Sequence, residues 1–565
     1  MKLSGAEIIV KILENQGITT IAGIPGGSVL PLYDELYKSS IKHVLVRHEQ
    51  AAGFIAQGMS RTSGLPSVCI ATSGPGALNL LTAIADARAD SIPLVAITGQ
   101  VTRSLIGTDA FQEADTFGLS FPITKHSVMV TSAAELLDVL PQAFALAGSG
   151  RPGPVLIDVP RDVQTEIIEI NFLPEVTSAT RKPAHYQAKG KHFTLLIEQA
   201  VKLIRESTKP VLYLGGGTNS IETSSLISDF LRIQPMPVVN TLMALGVVPA
   251  TSPFNLGMIG MHGSVCANEA MYGADLVMAA GAHFDDRATG VVEKFCPNAK
   301  IIHIDIDAAE LNKIYAANVS LVADVESVFP VLTNLLGEKG EKNTNKTAKS
   351  EWLADVQKLK QKEAKPTNAG NFIASIADFA HQAGFGGEKT IITTDVGQHQ
   401  MWVAQHYPFM CPRQLLTSGS LGTMGFGLPA ALGAALQNPS KRILCFTGDG
   451  SLMMNVQELA TLAEENLDVT VIVLDNGALG MVRQQQEFMC DKRYSASIYK
   501  KSPDLCAIAA GFGIPVVDTR TSGWQKKAFP KTGGGPRFVY CNIDQGENVF
   551  PFVPGGKANI EAILE

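Results

Sequence analysis

Several things are missing from this 565-residue sequence. No apolar run reaches the roughly 20 residues that a membrane-spanning helix needs, so no membrane partner is expected. Positive charge is not in excess: the formal net charge is −7, which removes the electrostatic case for nucleic acid or an anionic lipid surface. Eight cysteines are scattered, mostly in apolar runs such as SVCIATSG and ILCFTG. No two have metal or redox spacing, so reduced thiols in a cytoplasmic protein are expected. The first residues, MKLSGAEIIVKILENQG, read at once as an amphipathic helix and not as a signal or transit peptide. There is no short internal repeat and no convincing GxGxxG, which makes a nicotinamide site a weak reading. What is present is an ordinary globular composition, 45% hydrophobic and 18% charged, at a length that suggests roughly three to four domains.

Strand and helix patterns alternate throughout, which defines an α/β chain. Two polar, structure-poor stretches, about 177 to 192 and 337 to 351, read as linkers. They divide the chain into domains at 1–176, 193–336 and 352–565. The most informative stretch lies in the third. ILCFTG is a strand that stops at Gly448-Asp449-Gly450. SLMMNVQELATLAEENL has helical spacing, with Ser451 placed to cap it. VTVIVL is a β-branched strand that stops at Asp475-Asn476-Gly477. The two strands of such a unit should be parallel near neighbours, which leaves Asp449 and Asn476 just past their carboxyl ends, where open α/β sheets bind ligands. A carboxylate, an amide oxygen and backbone carbonyls are hard ligands suited to Mg²⁺ with phosphate oxygens. The helix after Gly450 offers N–H groups to a pyrophosphate.

Other stretches carry candidate sites. In GIPGGS, Pro25-Gly26-Gly27 lets backbone approach a bound group closely. Glu49 in RHEQAA sits where a strand meets a helix, and SGPG opens a helix carrying Asn79. The polar loop IGTDAFQE holds Phe111 and Gln112, and ITKHS holds Lys125. RPGPVLIDVPRD is a strand flanked by Arg151 and Arg161. In the middle domain a strand runs into Gly215-Gly216-Gly217, and another ends at Asp305 and Asp307, suited to ribityl or ribose hydroxyls. In the third domain SGSLGTMGFG is nearly bare backbone against which a flat cofactor could lie. The polar segment after Met481 could move as a lid.

Together GIPGGS, RHEQAA, TSGPGALN, IGTDAFQE, ITKH, RPGPVLIDVP, GMHG, FDDR, HIDID, DVGQHQMW, GTMGFGLPAA, GDGSLMMN and ALGMVRQ, in this order over nearly the whole chain, resemble the catalytic subunits of acetohydroxyacid (acetolactate) synthases. These are thiamine diphosphate-dependent transferases of branched-chain amino acid biosynthesis. The resemblance implies three doubly wound parallel-sheet domains, for pyrimidine, FAD and pyrophosphate. It also implies that pyruvate is decarboxylated and its two-carbon unit joined to a second pyruvate or to 2-oxobutyrate. Thiamine diphosphate, Mg²⁺ and FAD are the implied cofactors. A homodimer or dimer of dimers with a small regulatory subunit is the implied assembly.

By the same resemblance, Glu49 is the carboxylate on the cofactor's pyrimidine nitrogen, and Gly27, Gln112 and Lys125 surround the substrate along with Phe111. Pro25, Gly26, Thr72 and Asn79 match cofactor contacts in the first domain. Gln398 and His399 match diphosphate contacts, with Gly422, Gly450, Ser451 and Met481 nearby. Met424 matches a hydrophobic wedge beneath the rings, and Asp449, Asn476 and the Ala478 carbonyl match Mg²⁺ ligands. Flavin contacts fall at Arg151, Gly215, Gly216 and Gly217, at Thr241 and Leu242, and at Met261 and His262. They continue at Gly281, at Asp285 and Arg287 of FDDR, at Asp305 and Ile306, and at Asp324 and Val325. The chain departs from the family at His283, commonly Arg, and at Gln485, where most members carry a Trp that favours 2-oxobutyrate. Other readings stay open here: a pyruvate oxidase or glyoxylate carboligase of the same superfamily, or a catalytically dead paralogue acting as a binding partner. Glu49 argues against glyoxylate carboligase, and the intact Glu49, Asp449 and Asn476 argue against a dead paralogue.

Overall fold

The computed structural model describes residues 1–174, 190–337, 345–531 and 534–565. Three six-stranded sheets dominate it, and every pairing within them is parallel. The first sheet takes, in chain order, Thr20–Gly23, Lys42–Leu45, Ser67–Ala71, Leu94–Gln100, His126–Met129 and Pro154–Pro160. Across the sheet these lie in the order 2-1-3-4-6-5. The third sheet, from Thr390–Thr394 to Arg537–Asn542, repeats that order, so the outer domains share a topology that no sequence repeat announced. The middle sheet runs 3-2-1-4-5-6, the order of dinucleotide-binding folds. These are the doubly wound α/β domains expected. The strands are almost wholly apolar because helices cover both faces: Val469–Asp475 is buried at every residue.

Local chemistry accounts for the elements. Ser4 accepts from Glu7 N at 3.2 Å while Glu7 accepts from Ser4 N at 2.7 Å, a capping box that starts the helix Gly5–Asn15. Asp504, Ser220 and Thr367 cap later helices in the same way, each accepting a backbone N–H of the first turn.

The expected long helix from Ser451 is not formed. Asp449–Leu452 is a single four-residue turn, and the next helix is Glu458–Glu464. Ser451 Oγ accepts from Gly448 N at 3.4 Å and caps nothing longer. Asn455 occupies the break. Its amide donates to Gly425 O at 2.8 Å and to Gln50 Oε1 at 3.3 Å, so a tertiary contact replaces a helical turn.

A helix spans the expected domain boundary at 352. The helix Lys346–Lys358 packs on the middle domain: Lys349 donates to Ile204 O at 2.6 Å, Trp352 to Pro210 O at 3.3 Å, and Val356 shares a core with Tyr213. The third domain begins with the helix Asn368–Gln382. Positions 177–189 of the first linker and 338–344 of the second lie outside the described residues.

The outer domains of one chain are fused rather than tethered. The helix Glu49–Ser63 lies against Gly427–Gln437, and their buried faces form one core with Ile55, Ala56 and Met59 meeting Leu428, Ala431 and Leu432. A Cβ on Gly58 would overlap the Ala430 carbonyl, and one on Gly433 the Ile55 carbonyl, so the backbones touch where the helices cross.

Candidate active site

The strand order reverses beside the first strand of each sheet, and the crevice opens at the carboxyl ends there. In the middle sheet Gly215–Gly217 follow Pro210–Leu214 and Gly281 follows the neighbouring strand Leu276–Ala280. Gly217 N donates to Gly281 O at 2.9 Å, and a Cβ on Gly217 would stand 2.8 Å from Gly281 Cα. The crevice floor is therefore bare backbone. In the third sheet Gln398 and His399 begin the helix Gln398–His406, and Asp449 follows Arg442–Gly448. These two crevices join in one cavity of about 1020 Å³.

Every residue singled out by the resemblance in the middle and third domains lines that cavity, whereas Asp307 is not in its wall and accepts from Arg151 at 3.3 Å. The cavity gathers Thr241, Leu242, Met261, His262, Asp285, Arg287, Asp305, Ile306, Asp324 and Val325 at one end. At the other stand Gly422, Met424, Asp449, Gly450, Ser451, Asn476, Ala478, Met481 and Gln485. From the first domain only Arg151 among the candidates reaches it, donating to Ser91 Oγ at 2.8 Å and to Glu310 Oε1 at 2.7 Å across the domain boundary. His283 is also in the wall, with Nδ1 3.8 Å from Asp285 Oδ2.

The remaining first-domain residues make a second cluster at the carboxyl edge of their own sheet. Glu49 is the first residue of its helix and accepts from Asn79 Nδ2 at 2.9 Å. Gly26 packs on Thr72, whose hydroxyl meets Ser28 Oγ at 2.9 Å. The backbone of Gln112 lies 2.7 Å from where a Cβ of Gly74 would stand, which only glycine at φ +60° permits. Gly27 faces open space and Phe111 is 88% exposed. Lys125 does not join this cluster. It precedes the strand His126–Met129, at the amino edge of the parallel sheet, where it donates to the carbonyls of Leu146 and Ser149 at 2.6 Å. Burial lowers its ammonium to about 8. Arg161, directly after Pro154–Pro160, stands at the carboxyl edge instead.

Electrostatics mark the third-domain half. Asp449 is raised to about 7, first by burial and then by the neighbouring charge of Asp475, and its Oδ2 is buried without a partner. A cation there would relieve both the burial and the repulsion. Among the described residues no three His, Cys, Asp or Glu side chains converge to hold a metal. Asp449, Asn476 and the backbone of Ala478 offer a carboxylate, an amide oxygen and a carbonyl, a set that fits Mg²⁺ with phosphate. His399 is held neutral, pushed down to about 3 by burial, and its Nε2 has no partner. Thr241 Oγ1, in the other half of the cavity, is orphaned too. Buried polar atoms without partners are costly, so the cavity is built for polar ligands at both ends.

Several residues here escaped the sequence reading. Gln484 is fully buried, accepts from Gln398 Nε2 at 3.0 Å and exchanges two bonds with the backbone of Val549. Asn476 Nδ2 donates to Gln398 Oε1 at 3.1 Å. Asp395, raised to about 6 by burial, accepts from Gly425 N and Gly427 N. The hydroxyl of Tyr499 lies against Gly450. The spacing of the NGALGMVRQQ stretch after its strand was the available signal for Gln484. The segment after Met481 is a helix, Gly480–Met489, anchored through Arg483 and Gln484, so its first turns are not a free lid.

The comparisons with known proteins agree with this geometry. Residues 3–119 match the thiamine pyrophosphate enzyme N-terminal TPP binding domain, 197–334 the central domain, and 395–543 the C-terminal TPP binding domain. The chain belongs to the thiamine pyrophosphate enzymes, and within them to the family of acetolactate synthase large subunits. It is 48% identical to acetolactate synthase isozyme 1 large subunit of Escherichia coli (strain K12), covering 100% of this chain and 98% of that protein. It is 42% identical to the acetolactate synthase large subunit of Corynebacterium glutamicum, over 99% of this chain and 90% of the other. Acetolactate synthase 2, chloroplastic, of Nicotiana tabacum is also 42% identical, over 99% and 85%. Among the described residues no helix is long and apolar enough to cross a membrane.

Proposed function

We propose that this chain carries out the acetolactate synthase reaction. Pyruvate loses CO₂ and its two-carbon unit joins the keto carbon of a second 2-oxo acid, giving 2-acetolactate from pyruvate or 2-aceto-2-hydroxybutyrate from 2-oxobutyrate. The observation that carries this reading is the pair of intact half-sites, Glu49 held by Asn79 and the orphaned Asp449 oxygen beside Asn476, on a chain related end to end to acetolactate synthase large subunits. Thiamine diphosphate, when bound, supplies a carbon nucleophile and an electron sink for decarboxylation.

The chain supplies the rest. Asp449, Asn476 and the Ala478 carbonyl would hold Mg²⁺; Gln398 and His399, at the start of their helix, would hold the diphosphate. Met424 would support the rings from below. Glu49 holds or releases a proton at the pyrimidine nitrogen. Because Glu49 and its neighbours do not line the cavity, we assign the two half-sites to opposite subunits of a two-fold pair. Leu30, Leu78 and Phe111, exposed on the first domain, suit that interface. The end of the cavity floored by glycine and ending at Asp305 suits FAD, which has no redox step to perform in this reaction. A small regulatory subunit accords with relatives named as large subunits, and eight free thiols accord with the cytoplasm.

Purified protein given pyruvate, Mg²⁺ and thiamine diphosphate should release CO₂ and form acetolactate with little oxygen uptake. Oxygen consumption matching pyruvate loss would instead indicate an oxidase. Reduced or 5-deaza flavin should support much of the activity, and full activity without any flavin would remove FAD from the reading.

A further inference from the structure

The loop from Ser418 to Phe426 carries Met424, and buried carboxylates hold both of its ends. Asp395 secures the far end through Gly425 N at 2.8 Å and Gly427 N at 2.9 Å. The near end is held from the first domain. Asp86 Oδ1 accepts from Ser418 Oγ and, at 3.0 Å, from Thr423 Oγ1. Asp90 accepts from Gly419 N at 3.0 Å and from Ser420 N at 2.8 Å. Arg61 stands between the two carboxylates, donating to Asp90 at 2.8 Å and to Asp86 at 3.3 Å, with its guanidinium 4.9 Å from the centre of the Phe426 ring. The three side chains are 5%, 0% and 0% exposed.

A buried ion cluster is a poor source of net stability, because desolvation offsets its attraction. What it does supply is geometry: fixed directions for four donors on one glycine-rich loop. The same helices reach the other half-site. Glu49 opens the helix that bears Arg61, and Asn79, the donor to Glu49, shares the helix Pro75–Ala89 with Asp86.

We infer that Arg61, Asp86 and Asp90 are a positioning triad that sets the Met424 loop, and with it the support beneath the cofactor rings, from the first domain. The inference rests on the thiamine diphosphate reading above. Asp86→Ala frees two hydroxyls of the loop and leaves Arg61 with one partner carboxylate. Calorimetric titration of thiamine diphosphate into the full chain with saturating Mg²⁺ should show binding weakened by roughly tenfold or more, as expected for losing two bonds to a charged acceptor. The value of kcat at saturating cofactor should fall while KM for pyruvate stays within about twofold. Asp86→Asn, which keeps an acceptor oxygen for the two hydroxyls, should recover most of the affinity.

Failure of the wild type to bind thiamine diphosphate would overturn the function itself. Normal binding by the wild type, with unchanged affinity and kcat in Asp86→Ala, would overturn only the triad. So would a lower Tm with unchanged affinity, since that outcome is purely structural. If Asp86→Ala does not fold, Ser418→Ala decides: weaker binding by about threefold or more supports the triad, and unchanged binding overturns it.

Discussion

Gly480 offers a test of the third-domain half-site. It is the first residue of the helix Gly480–Met489 and lines the cavity. A Cβ there would overlap Gln398 Oε1 and stand 2.5 Å from Asn476 Nδ2. Gln398 is 3% exposed and cannot swing into solvent. To make room it must give up its bonds to Asn476 at 3.1 Å, to Gln484 at 3.0 Å and to the Glu547 carbonyl at 2.9 Å. At about 0.5–1.5 kcal/mol each, the three sum to about 1.5–4.5 kcal/mol. The loss falls on the side chains that aim Asn476 and begin the helix proposed to hold the diphosphate. Affinity for Mg²⁺ and thiamine diphosphate in Gly480→Ala should therefore drop by roughly one to three powers of ten. Alanine favours a helix over glycine by up to about 1 kcal/mol, which offsets only part of that loss, so Tm should fall as well. Calorimetric titration together with a thermal melt separates the two effects. Gly511→Ala, where an added Cβ meets nothing within 4 Å, is the control. Cofactor affinity within about threefold of wild type would refute the argument, because it would mean the Gln398 bonds do not hold the site.

Further outcomes follow from the same geometry. Glu49→Gln should slow exchange of the cofactor C2 proton and cut turnover by about 10²–10⁴-fold with the fold intact, and NMR exchange rates equal to wild type would remove Glu49 from the mechanism. Mixing Glu49→Ala and Asp449→Ala chains should restore activity through one complete hybrid site; no recovery, with heterodimers shown to form, would place each site within one chain. Asp449, raised to about 7, must release its proton to a cation. Mg²⁺ affinity should therefore rise with pH up to about 7 and level off above it, and Asp475→Asn should move that rise to lower pH. In the empty protein the raised carboxyl contributes stability that is full below its unfolded value and fades as pH climbs through 7, so Tm should fall over that range unless Mg²⁺ and cofactor are present. Gln485 lines the cavity with a polar amide, and Phe488 packs on Phe552 at 5.4 Å and does not fill the space. Preference for 2-oxobutyrate over pyruvate should lie near unity. Gln485→Trp should gain a preference of roughly 10–200-fold in a competition assay, and a strong acetohydroxybutyrate bias in the wild type would count against it.

Much of this protein is legible along the chain because its signals are local. Strand ends such as Gly448-Asp449 and Asp475-Asn476 show themselves through an apolar run that stops at a turn, and parallel sheets put all such ends on one edge. That is why the ligand-binding edge and the α/β class could be named from sequence, whereas most candidates in the large cavity were named through the family resemblance. Where the chain meets itself at long range, local pattern is silent. The helix Glu49–Ser63 is buried from Ala51 to Arg61 on every side, so it has no polar face to give it period. Lys125 stands in a motif beside candidate residues, yet strand direction carries it to the opposite edge of the sheet. Asn455 breaks a helix of good pattern because its partners, Gly425 and Gln50, come from two other segments. Asp86 and Asp90 read as ordinary helix carboxylates until the fused core brings the Ser418 loop against them. The sequence by itself determined which groups stand at the ends of strands, because turns and periodicity are set by near neighbours. Only the tertiary structure decided which of those groups share a cavity and what holds them in place, because those contacts depend on how three sheets pack.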